Sequence, residues 1–151
     1  MDPGRAGRSL NVLIVPDASV ILKWVLPCEE EPDWDRARRL LEGFVEGETD
    51  MIVPSLWFFE AGNTLARRFG FDVADSMLHW LLELGIPERG PRSWATTAVT
   101  LAANRGVTFY DAAYYAVAVE RGGVLVTADR RFVKTLGDDP AVVSLGSSEE
   151  D

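Results

Sequence analysis

At 151 residues, with 47% hydrophobic and 26% charged side chains, the chain has the size and composition of one globular domain, not of a disordered segment. Its 24 acidic against 15 basic residues leave a formal charge of −9. That weighs against a simple nucleic-acid-binding module with a basic face, but not against an enzyme whose acids gather divalent cations. Cys28, the single cysteine, excludes a disulfide framework and fits a reducing cytoplasm, while His79, the single histidine, excludes paired-histidine catalysis.

The first ten residues read as a flexible arm, residues 11–145 as one domain, and residues 146–151 as an acidic tail. "NVLIVP" is a continuous, β-branched apolar run, as expected for a strand buried on both faces. The helix "ASVILKWVL" follows and ends at Pro27, and "DWDRARRLLEGFVEG" is a second helix with Ala37, Leu40, Leu41 and Phe44 as its apolar stripe. "DMIVP" is a second strand, after which Pro54 opens the helix "SLWFFEAGNTLARRFG", closed by Gly70. Residues 72–84 and 91–105 form two more helices around the break "GIPERGP". In the first of them Met77, Leu78, Trp80, Leu81 and Leu84 belong to the core, and His79 takes a structural or surface place. "VTFYDAAYYAVAVERGG" is a helix with a short strand-like start, ended by paired glycines. "VLVTAD" is a buried strand, "RRFVKTLG" a short helix and "AVVSL" a last strand. This alternation predicts an α/β fold, a three-layer α/β/α sandwich with a mainly parallel central sheet and ligands at the carboxyl ends of its strands.

No stretch is long and apolar enough for a membrane span of roughly eighteen residues, because Asp17 and Lys23 interrupt "VLIVPDASVILKWVLP". The N-terminus has neither the long h-region nor the cleavage site of a signal peptide. The glycine-rich dinucleotide and P-loop patterns are missing, as is the G-x-S-x-G elbow of hydrolases. The strand ends carry acids instead: Asp17 follows "LIVP" and Asp129 follows "VLVTA". Each fits a helix N-cap, and Asp111, three residues after Thr108, fits a capping box. Glu60 lies in the interior of its helix, too far from the start to cap it, and shares a face with Asn63, Thr64 and Arg67. A solvated stripe and an inward-facing acid both fit that position.

Taken jointly, a parallel sheet would bring all four acids to one edge, where their repulsion raises pKa values and a hard cation such as Mg²⁺ or Mn²⁺ relieves it. Ser19 and Thr127 stand close enough in sequence to support the site through their hydroxyls. Arg130 and Arg131 are placed to contact phosphates or simply to begin a solvated helix. Tyr110 and Tyr114 fit core or dimer packing better than base stacking, and Trp57 and Phe58 fit burial or a subunit interface.

At "IVPDASVILKW", "VPSLWFFEAGNTL", "TFYDAAYYAVAVERGGVLVTAD" and "VVSL" the chain resembles PIN-domain proteins, in order, from about residue 12 to 145. It is most similar to the toxin ribonucleases of VapBC-type toxin–antitoxin pairs. The resemblance implies an acid quartet at Asp17, Glu60, Asp111 and Asp129, supporting hydroxyls at Ser19 and Thr127, and a polar position at Asn63. It implies endonucleolytic cleavage of an RNA substrate dependent on Mg²⁺ or Mn²⁺; the expected arrangement holds the cation mainly by Asp17 and Asp111 with Asp129 nearby, and has Glu60 either complete the set or hold one of the cation's waters. A homodimer and a small antitoxin protein that fills the acidic groove are implied as partners. Two other readings stay open. A phosphoaspartate receiver or phosphatase-like protein would want a second acid beside Asp17, where Ser19 stands two residues on. A non-catalytic PIN-like binding module would be expected to lack one of the four acids.

Overall fold

The computed structural model describes residues 11–146; the expected arm at 1–10 and the tail beyond Gly146 lie outside the described residues. Its centre is a four-stranded, fully parallel sheet in the order β2-β1-β5-β6. β1 is Leu13–Pro16, β2 Asp50–Met51, β5 Val124–Thr127 and β6 Val142–Ser144. Alternation along the strands sorts side chains to two faces. Val15, Leu125 and Val142 enter one core cluster, and Ile14, Met51 and Val126 the other. β1 and β5 are almost wholly buried, which is why they read as continuous apolar runs rather than alternating ones.

Helices cover both faces. α1 (Ala18–Ile21), which tightens into a 3₁₀ turn over Leu22–Trp24, leads out of β1. α2 (Trp34–Val45) lies on the Ile14 side through Ala37, Leu40 and Phe44. The opposite side takes α3 (Trp57–Arg68), α4 (Phe71–Glu83), α5 (Pro91–Arg105), α6 (Phe109–Arg121) and α7 (Arg130–Leu136). The product is the expected α/β/α sandwich. α6 contributes Ala112, Ala113, Ala116, Val117 and Ala118, all buried, and these small side chains let it lie close to the sheet. Gly122 ends α6 in the left-handed conformation at φ 67°, and Gly123 allows a close approach, since a Cβ there would meet the Leu13 carbonyl oxygen at 2.8 Å.

Five expectations need correction. "DMIVP" is not one strand: β2 pairs with β1, whereas Val53–Pro54 (β3) pairs with β4, Glu88–Arg89. β4 lies inside the segment read as a break, and two polar residues carry no strand pattern. Gly70 does not close α3 but sits extended at the start of α4, and Phe69 caps α3. The strand-like start before α6 is no strand either: Thr108 is an extended N-cap. Trp80 is 45% exposed, while Leu81 on the same helix is buried. His79 is exposed and bonded to the Asp75 carbonyl 3.0 Å away, a surface role. Among the described residues no helix is long and apolar enough to cross a membrane.

Candidate active site

The carboxyl ends of β1 and β5 are neighbours, because Pro16 pairs with Val126 and the Asp17 N–H donates to the Val126 carbonyl at 3.2 Å. Asp17 is the N-cap of α1, accepting from the N–H groups of Ser19 (3.0 Å) and Val20 (3.3 Å). The Ser19 hydroxyl donates to the same carboxylate oxygen, and it accepts the Ala128 N–H at 2.9 Å. Ser19 therefore stitches the exit of β1 to the exit of β5. Thr127, fully buried, accepts the Asp129 N–H at 3.0 Å, and its hydroxyl also favours the ionised form of Asp17. Asp129 caps α7 through the Phe132 N–H at 3.1 Å. Both hydroxyls expected to support the site thus engage the carboxylate and backbone directly.

Asp111 sits in the first turn of α6, and its N–H donates to the Thr108 hydroxyl at 3.0 Å. The cap thus uses the backbone of Asp111. Glu60 belongs to the first turn of α3, not to its interior, because the helix begins only at Trp57. Its Oε1 accepts the Tyr114 hydroxyl at 2.7 Å. Asn63, Thr64 and Arg67 further along α3 are exposed, so the stripe is solvated and Glu60 is its half-buried end.

The electrostatics tie the four acids together. Asp17 is only 5% exposed, and burial pushes its pKa up to about 6, against the pull of Ser19 and Thr127 and with the aid of the Asp111 charge. Burial also raises Glu60, opposed by the Tyr114 hydrogen bond and assisted by Asp111. Asp111 is raised by burial and by Asp129, and held back by Thr108. Asp111 thus acts on both Asp17 and Glu60, and is itself acted on by Asp129. Among the described residues no three His, Cys, Asp or Glu side chains form a ready-made cage for a cation. The donor set does fit one: all its members are hard carboxylate oxygens, and a divalent cation would offset both the burial of these charges and the repulsion that adds to it in raising their pKa values.

Sequence reasoning favoured packing over base stacking for Tyr114. It is 1% exposed and in the core, yet its hydroxyl reaches Glu60, a contact across 54 residues that no local pattern announces. Tyr110 is 56% exposed one residue before Asp111, and Arg130 and Arg131 are exposed after Asp129. Trp57 is buried and donates its indole N–H to Glu88 at 2.7 Å, while Phe58 packs partly buried beside it.

A parallel sheet whose exit edge carries acids from four separate segments defines an acid-edged α/β fold, a class suited to oxygen-seeking cations. The chain belongs to the PIN-domain family, whose description, "PIN domain", matches residues 14–136. It is 33% identical over 138 residues to Ribonuclease VapC3 of Pyrobaculum aerophilum, across 87% of this chain and 98% of that protein. The fold is similar to the crystal structure of PAE2754 from Pyrobaculum aerophilum, with a TM-score of 0.64 and 24% identity over 89% of this chain and 84% of that one. It is also similar to VapBC2 from Rickettsia felis, solved bound to a DNA fragment from their promoter. That match has a TM-score of 0.60 and 13% identity, over 88% and 97% of the two chains.

Proposed function

We propose that this protein is a Mg²⁺- or Mn²⁺-dependent endoribonuclease that acts in the cytoplasm as the toxin of a toxin–antitoxin pair. The observation that carries the reading is the electrostatic linkage of Asp17, Glu60 and Asp129 to Asp111 at one sheet edge. The likeness to a ribonuclease over nearly the whole chain supports the substrate class.

In this reading Asp17 and Asp111 are the principal cation ligands, with Asp129 and Glu60 completing the set. A bound divalent cation would supply a nucleophile from water near neutral pH and offset the charge of the phosphodiester. The chain's own part is preorganisation. Asp17 is held by two backbone N–H groups and one hydroxyl, so it does not turn away when its charge is unpaired. Arg130 and Arg131 stand exposed where an RNA backbone approaching Asp129 would pass. Exposed Phe59 on α3 and Phe71 on α4, at 71% and 80%, offer apolar surface for a protein partner, which supports an antitoxin and a second copy of the chain as binding candidates.

The test is cleavage of structured and unstructured RNAs with Mg²⁺, Mn²⁺ or chelator, run beside Asp17→Asn. Metal-dependent endonucleolytic products that vanish in the variant are expected. RNA binding with no cleavage in either metal would instead favour a non-catalytic module.

A further inference from the structure

We infer that Tyr114 is a positioning residue for Glu60, a phenol built into the core to aim one carboxylate of the cation site; this rests on the metal-nuclease reading above. Tyr114 follows Asp111 by three residues, so one face of α6 carries both an acid of the site and the donor that fixes another. Its ring is packed in the core at 1% exposure, which leaves the hydroxyl no other place to go. That hydroxyl donates to Glu60 Oε1 at 2.7 Å and leaves Oε2 to serve as a ligand.

The need for such a clamp follows from where Glu60 stands. Asp17 has three donors and Asp129 has the Phe132 N–H, and both caps come from their own helix starts. Glu60 is not an N-cap, and its own N–H is used in the helix, bonded to the Leu56 carbonyl at 3.2 Å. A long, flexible carboxylate side chain beside Asp111 would swing outward to water unless something opposed the repulsion. The phenol does so without adding charge, and it ties α3 to α6, so the acids of two helices keep a common spacing. Partners of this kind typically change metal affinity about 10- to 100-fold when removed.

The experiment is Mn²⁺ binding to the full chain without RNA, by calorimetry, for wild type, Tyr114→Phe, Glu60→Gln and the double variant. Tyr114→Phe should weaken Mn²⁺ about tenfold or more, and the double variant should bind like Glu60→Gln alone, because the phenol acts only through that carboxylate. Equal binding by Tyr114→Phe and wild type, with Glu60→Gln weakened, refutes the inference while leaving the nuclease reading standing. Additive losses refute it too, since Tyr114 would then act by packing. Wild type that binds no Mn²⁺ removes the nuclease reading and this inference with it. A second measurement needs no substitution at Tyr114: with tyrosine labelled at Cζ, one of three resonances should move on Mg²⁺ addition and move again in Glu60→Gln. Resonances unmoved by either change overturn the assignment.

Discussion

Asp17→Asn should make the metal-free protein more stable, although it removes an acid proposed above as a principal ligand. The folded-state pKa of Asp17 is raised from 3.8 to about 6, a rise of about two units at about 1.4 kcal/mol each, or about 3 kcal/mol in all. Between those pH values the folded protein holds a proton that the unfolded chain has already lost. Stability therefore falls as pH rises from about 4 to about 6, and the full penalty is in force at neutrality. Asparagine cannot ionise, yet it caps helices as well as aspartate and keeps an oxygen for the Ser19 and Val20 N–H groups. In chelator at pH 7.5 the variant should gain up to about 3 kcal/mol in urea unfolding, or about 6–12 °C in Tm for a chain of this length. At pH 4 the two proteins should be nearly equal. Saturating Mg²⁺ should reverse the order, because only wild type gains from binding. A stability difference that does not grow between pH 4 and pH 6 would refute the assignment of that strain to Asp17.

Three further outcomes separate the roles at this edge. Asp111→Asn should abolish RNA cleavage and most of the Tm rise produced by Mn²⁺ while the domain stays folded, since the cap uses the Asp111 N–H; circular dichroism beside a cleavage assay checks it. Thr108→Ala should cost about 1 kcal/mol in urea unfolding through loss of the N-cap, yet retain metal-dependent cleavage. Gly123→Ala should destabilise by about 1–3 kcal/mol in the same assay, because its Cβ would meet the Leu13 carbonyl at 2.8 Å, and should leave the metal-induced Tm rise in place.

β1 and β5 were legible because burial on both faces writes itself as a run of Val, Ile and Leu, and Asp17 and Asp129 were legible because each follows such a run directly. The division of "DMIVP" was not. Met51, Ile52 and Val53 are all buried, so hydrophobicity is constant across the point where the pairing partner changes from β1 to β4. β4 itself is held by pairing with β3 and has no apolar residue to betray it. The position of Glu60 was misjudged by the start of α3: Ser55 and Leu56 precede the helix, so an apparent interior residue is a first-turn one. Its relation to Tyr114 depends on the packing of α3 against α6, which depends in turn on the whole sheet. The four acids could be proposed from sequence, but that Asp111 acts on both Asp17 and Glu60 could not.

The Ser19 hydroxyl joins residues 109 apart in the chain, and β1 finds its partner β5 only after helices α1 to α6 have been made. A growing polypeptide therefore carries Asp17, then Glu60 and finally Asp111, before β5 completes the surface that gathers them. Such distant pairing is also slow to form relative to local helices. In the toxin reading proposed above, this order of assembly is a delay built into the chain: the four acids are gathered only once Asp129 has been made and β5 has docked beside β1.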